Sequence, residues 1–110
     1  MFVAAYWWDV HPGKEEQFRV AWRRGTELIR ETYGSLGSRL HREERADGAI
    51  RFIGVAEWPD RTTWQRAFDA KMVYDDPVTR RAFVDAIRGW ADEPLLLMEV
   101  TDDLLDRRDG

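Results

Sequence analysis

The sequence predicts an α+β domain whose elements run strand, helix, strand, strand, helix, strand. Three observations carry that prediction. Phe2 to Val10 and Ile50 to Trp58 are dense in aromatic and β-branched residues, which suit strands. The stretches that follow them repeat their apolar residues at helical spacing. Cap or turn residues stand at the boundaries: His11-Pro12-Gly13, Gly34, Asp47-Gly48, Pro59-Asp60, Asp76-Pro77 and Pro94.

The first strand, Phe2 to Val10, places Phe2, Ala4, Tyr6 and Trp8 on one face and Val3, Ala5 and Trp7 on the other. After the Pro-Gly turn a helix begins at Lys14, with Glu15 and Glu16 at its positive end. Its apolar stripe is Phe18, Ala21, Trp22, Gly25, Leu28, Ile29 and Thr32, and Gly34 stops it. Leu36 to Arg45 is the second strand, joined to the third through Asp47-Gly48 as a hairpin. The third strand stops at Pro59, which has no amide to donate. Asp60 then caps a helix reaching Lys71, with Trp64, Ala67 and Phe68 on one face. Met72 to Asp76 connects to a second helical start at Asp76-Pro77. Its apolar face runs through Val78, Ala82, Phe83, Ala86, Ile87 and Trp90, and Pro94 fixes its end. Leu95 to Thr101 is the fourth strand.

This order is the ferredoxin-like βαββαβ arrangement. Right-handed crossovers give a four-stranded antiparallel sheet ordered 4-1-3-2, with the helices on one face. Residues 1–101 read as a single domain and 102–110 as a polar tail. The chain has 110 residues, 44% of them hydrophobic, enough for a core without staples. With no cysteine, disulfides and thiolate metal sites are excluded. A formal net charge of −4, with both signs interspersed, speaks against a nucleic-acid surface. No apolar stretch approaches the roughly 20 residues that span a bilayer, so no membrane association is expected. The N-terminus lacks a cationic start, and a cytoplasmic location is the expectation.

The face of the sheet away from the helices should also be apolar. The first strand is apolar on both parities, the third sets Ile53 and Val55 opposite Ile50 and Phe52, and the fourth runs Leu95-Leu96-Leu97-Met98. A sheet with one wet face alternates more cleanly. A large exposed apolar face marks an interaction surface, and a second copy packed sheet to sheet is the simplest cover.

Three segments resemble the antibiotic biosynthesis monooxygenase-like family: H-P-G-K-E-E-Q-F (His11 to Phe18), G-S-L-G-S-R-L (Gly34 to Leu40) and E-W-P-D-R-T-T-W (Glu57 to Trp64). Their order and spacing carry the likeness, which runs from about Val3 to Val100. The resemblance implies a ferredoxin-like protomer and a dimeric α+β barrel. Family activities include cofactor-free oxidation of polycyclic aromatics and haem degradation, and many members have no known reaction. Trp64 matches a tryptophan that lines the substrate cavity in the aromatic-oxidising members. Asp60 stands where those members carry asparagine.

Two readings of function follow. In the first, the protein is a cofactor-independent monooxygenase of a phenol- or quinol-type aromatic. Trp64, Phe68, Tyr74 and Phe83 then form the substrate pocket, with His41 as base and Asp60 beside it. In the second, it is a non-catalytic homodimeric binding protein for a small hydrophobic ligand. For each residue a plainer reading stands beside the functional one. Trp64 also reads as core, Asp60 as a helix cap without a proton to give, and His41 as a solvated strand histidine. No metal site is expected, since the two histidines have no metal-ligand spacing. The absence of histidine from Lys71 to Trp90 disfavours the haem-degrading branch. No cofactor fingerprint is present.

Overall fold

A computed structural model describes residues 1–106, so residues 107–110 of the expected polar tail lie outside the described residues. The chain forms β1 (Phe2–Val10), α1 (Glu15–Tyr33), β2 (Gly37–Glu44), β3 (Ile50–Trp58), α2 (Arg61–Asp69), α3 (Pro77–Ala86), β4 (Ile87–Trp90) and β5 (Leu96–Glu99). The sheet is antiparallel, with β2 on β3, β3 on β1, and both β4 and β5 on the far edge of β1. With β5 as the expected fourth strand, the order 4-1-3-2 stands.

The sheet has five strands rather than four, and the difference lies at Ile87 to Trp90. These residues were expected to continue the helix, because Phe83, Ala86, Ile87 and Trp90 fit helical spacing. The helix stops at Ala86 instead, and Ile87–Trp90 pairs antiparallel with β1, Trp8 opposite Trp90 and Val10 opposite Ile87. Burying one edge of β1 without partners would strand its amides and carbonyls. A β-branched residue and Gly89 make the switch inexpensive, since both are poor helix formers. β4 and β5 run along the same edge of β1, interrupted by residues 91–95 around Pro94. The amide of Leu95 rejoins the ladder on the carbonyl of Ala5 at 2.7 Å.

The local signals at the other boundaries act as expected. Gly34 caps α1 in the left-handed region (φ 83°), its amide bonding the carbonyl of Arg30. Asp60 Oδ1 accepts from the Thr63 amide and hydroxyl, both at 2.7 Å. Asp76 does the same for α3 through Thr79, at 3.0 and 2.9 Å, with Pro77 at the first helical position. The connector from α2 to α3 turns through Lys71 and Met72, both at positive φ, and is held to α1 by the Tyr33 hydroxyl donating to the Val73 carbonyl.

All helices pack on one face of the sheet. Phe2, Ala4, Trp58, Trp64 and Ala67 form one buried group, extended by Ile29 and Tyr33 of α1. Val10, Phe18, Phe52, Ala86 and Ile87 form a second, extended by Trp8, Trp22 and Phe83. Alternation puts Val3, Ala5, Trp7, Ile53, Val55, Leu96 and Met98 on the opposite, open face. There Arg51 lies 4.0 Å over the Trp7 ring and holds Asp9 through two hydrogen bonds of 2.8 and 3.1 Å.

Candidate functional site between the two core groups

The two buried groups sit at opposite ends of the same elements, and a distinct set of residues lies between them. On β1 the midpoint is Tyr6, between Phe2 and Ala4 at one end and Trp8 and Val10 at the other. On β3 it is Gly54, the cross-strand partner of Tyr6. On α1 it is Gly25, between Trp22 and Ile29. Two of the three midpoint residues therefore lack a side chain. Each glycine is covered by aromatic rings from elsewhere. A Cβ on Gly54 would stand 3.0 and 3.1 Å from ring carbons of Trp8 and 3.5 Å from Trp22 Nε1. A Cβ on Gly25 would stand 2.9 Å from the Tyr74 hydroxyl. Tyr6, Trp8, Trp22 and Tyr74 are half-buried, as are Ile29, Tyr33, Phe68 and Phe83 around the two groups. The rings of Trp8, Trp22 and Tyr74 thus fill the space over the two glycines.

The polar atoms at this centre are two indole N–H donors and two phenol hydroxyls, which both donate and accept. The Trp64 indole N–H donates to the Tyr6 hydroxyl at 2.8 Å. Among the described residues, the Trp22 N–H and the Tyr74 hydroxyl have no hydrogen-bond partner, and the sealed Trp58 N–H has no acceptor either. A buried donor left unpaired costs about 1–3 kcal/mol, and of these three only Trp58, in the first buried group, is sealed; Trp22 and Tyr74 are half-buried. Burial raises the pKa of Tyr6, against the lowering effect of the bond from Trp64. Burial likewise raises that of Tyr74, with Arg80 opposing. Both phenols are therefore held protonated.

The expected pocket residues distribute around this centre. Trp64 is 3% exposed and belongs to the first buried group, so it packs as core. Phe68 stacks on it with centroids 5.1 Å apart. Phe83 lies on the other side, edge-on to Trp8 at 5.7 Å. Tyr74 crosses α1 at Gly25. Asp60 is a helix cap, its pKa lowered first by the Thr63 amide and then by the Thr63 hydroxyl.

His41 lies apart from these residues. It pairs with Ile53 on β2, on the open face, while Trp64 lies under the helices. The sheet lies between the two within one chain. His41 lines instead a groove of about 430 Å³ with Val3, Arg39, Val55 and the segment from Asp102 to Leu105.

The residues that matter most at the centre are Tyr6, Trp8, Trp22, Gly25 and Gly54, and sequence reasoning gave none of them a functional part. Two signals pointed there. A glycine in a helical apolar stripe costs about 1 kcal/mol against alanine. A glycine within a strand often marks close approach by another group. Among the described residues no group of acids and histidines could hold a metal ion, and no helix is long and apolar enough to cross a membrane.

No family model matches the sequence, and no curated protein matches it. Solved structures do. The chain superposes on a protein from Bordetella bronchiseptica provisionally named an antibiotic biosynthesis monooxygenase, with TM-score 0.60, 17% identity, and 94% of this chain and 97% of that one covered. SnoaB from Streptomyces nogalater, a cofactor-independent oxygenase, gives 0.57 and 17%, covering 96% and 97%. A Nitrosomonas europaea protein of the same provisional name gives 0.53 and 19%, covering 80% of each chain. The fold is that of the antibiotic biosynthesis monooxygenase-like proteins over nearly the whole chain.

Proposed function

From a fold shared with cofactor-independent oxygenases, we propose that this protein is a monooxygenase of a phenol- or quinol-type aromatic that uses no cofactor. The observation that carries the reading is the centre of the helix-covered face, where Tyr6, Trp8, Trp22 and Tyr74 gather as aromatic walls over Gly54 and Gly25. A flat hydroxyarene stacks on such walls and offers the oxygen acceptors they lack. In the reaction a ring C–H and its O–H are lost: one atom of dioxygen becomes a quinone carbonyl and the other leaves as water. The electrons come from the ring itself, which is most easily oxidised once its hydroxyl is ionised. The chain's part is to bind and orient that ring and to exclude water from it.

A second reading, a non-catalytic homodimeric binding protein for a small hydrophobic ligand, is favoured by one specific feature. Asp60 and Asp76 both hold cap amides and hydroxyls, and His41 is on the other face, so none of these three serves as a base at the centre. In both readings the working form is a homodimer closed through the open sheet face.

Titration with naphthols and hydroxyanthraquinones, reading indole fluorescence and dissolved oxygen together, separates the two. Quenching with oxygen uptake, and a product carrying one atom from labelled dioxygen, is the expected result. Quenching without uptake selects the binding protein. No quenching by any member of the panel ends both.

A further inference from the structure

The face of Gly25 is closed, and the ring that closes it comes from the connector between α2 and α3. Gly25 is buried although it has no side chain. A Cβ there would meet the Tyr74 hydroxyl at 2.9 Å and two carbons of its ring at 3.3 and 3.5 Å. Trp22 and Ile29, one helical turn to either side, pack on the two buried groups. The Tyr74 ring thus fills the gap that the glycine leaves in the apolar stripe of α1. The filling group is itself a phenol, so the hollow left by its withdrawal fits a phenolic ring.

The segment that carries Tyr74 is strained at one end and loosely held. Lys71 and Met72 stand at φ 58° and 48°, the left-handed region that residues other than glycine disfavour. Two such residues in succession store strain at one point of the chain. Met72 is anchored on the first buried group, and Asp76 is bound into the start of α3 through Thr79. Between these anchors, the Val73 amide bonds the Ala70 carbonyl at 3.4 Å, and the Tyr74 carbonyl accepts from the Asp76 amide at 3.1 Å. Neither bond reaches α1 or the sheet. The Tyr33 hydroxyl ties the Val73 carbonyl to α1 in an exposed hydrogen bond. Val73 and Asp75 are themselves exposed. Among the described residues, the Tyr74 hydroxyl has no hydrogen-bond partner to hold the ring in place.

We propose that residues 73–75 form a lid hinged at Lys71 and Met72, that Tyr74 is its plug, and that an aromatic ligand enters the helix-covered face by taking the place of the Tyr74 ring over Gly25. The proposal rests on the reading that this centre takes an aromatic ligand. It adds the way in and a size, one phenolic ring at Gly25. Opening breaks the bond from Tyr33 and lets Lys71 and Met72 leave the left-handed region. Closure buries the Tyr74 ring again. The ligand competes with Tyr74, so its apparent affinity is reduced by the fraction of molecules that are open.

Two measurements on the full chain test this, one of them without a ligand. Amide exchange, corrected for intrinsic rates, reads opening at Met72 and Val73, whose amides bond the Ala67 and Ala70 carbonyls. In wild type these should exchange faster than the amides of α1 around Gly25 and without dependence on low urea, the mark of a local opening. Lys71→Gly relieves the closed hinge and should slow them about fivefold. Tyr33→Phe removes the tie and should speed them. Titration with 2-naphthol, reading indole fluorescence, should follow the same opening. Lys71→Gly should weaken binding by the factor that it slows exchange, and Tyr74→Ala, which has no plug, should strengthen it roughly tenfold. Exchange at Met72 and Val73 with the rate and urea dependence of α1 overturns the lid without recourse to any ligand. Equal 2-naphthol affinity in wild type, Lys71→Gly and Tyr74→Ala overturns the lid as the way in and leaves the aromatic site standing. No binding of 2-naphthol by wild type or by Tyr74→Ala overturns the site and this inference together.

Discussion

Asp60 Oδ1 takes both the amide and the hydroxyl of Thr63, so the carboxylate is bound to the helix start and not to a ligand. Those bonds favour the ionised form and lower its pKa. The sign of the linkage follows. The stabilisation is present above the unfolded value of about 3.9 and is lost as pH falls through the lowered folded value. Asparagine caps equally well but does not titrate. Asp60→Asn should therefore leave stability near neutral pH little changed and flatten the decline of the thermal midpoint in acid. Parallel declines in the two proteins would refute the cap as the source. Trp64 is a different case, because it is both sealed and hydrogen-bonded. Trp64→Phe removes volume and frees Tyr6, and should cost about 1–4 kcal/mol in urea unfolding. A loss below this range would mean that the indole faces open space.

β1, β3 and α1 carry Tyr6, Gly54 and Gly25 at their midpoints, and the two glycines answer to different neighbours. Gly54 lies under the Trp8 ring, and Trp8 is itself held by Phe18 at 5.6 Å and Phe83 at 5.7 Å. Gly54→Ala has no easy relief and should cost about 1–3 kcal/mol, as overpacking does. Gly25 meets only the far end of Tyr74. A Cβ there displaces one hydroxyl, while the helix gains up to about 1 kcal/mol from losing a glycine. Gly25→Ala should thus stay within about 1 kcal/mol of wild type in urea unfolding, yet alter ligand affinity by moving Tyr74. Equal losses at both sites would show that the two glycines meet the same constraint.

The molecule carries helices on one face of its sheet and presents apolar side chains on the other. Leu96 and Met98 of β5, 51% and 41% exposed, lie opposite Ala5 and Val3. Arg39, His41 and Glu43 of β2 edge that patch with polar groups. An apolar patch rimmed in this way is the form of an interface. Light scattering at micromolar concentration should give twice the 13.0 kDa chain mass. A double change of Leu96 and Met98 to aspartate should halve it without unfolding the chain. A wild-type mass of one chain would refute the homodimer.

The elements as far as the start of α3, the caps at Asp60 and Asp76, the stop at Gly34 and the Asp47-Gly48 hairpin were all legible in the sequence. Each depends on residues within a few positions of one another. The strand order followed too, because handedness leaves few ways to join those elements. Ile87 to Trp90 was not legible as a strand, since its apolar spacing fits a helix equally well. The bare edge of β1, distant in sequence, decided it. His41 could not be assigned a face before the register of β2 on β3 was known, because a shift of one residue reverses every side chain. The pairing of Tyr6 with Trp64 joins residues 58 positions apart. Neither residue alone signals it: only the packing of α2 on β1 brings an indole donor to a phenol.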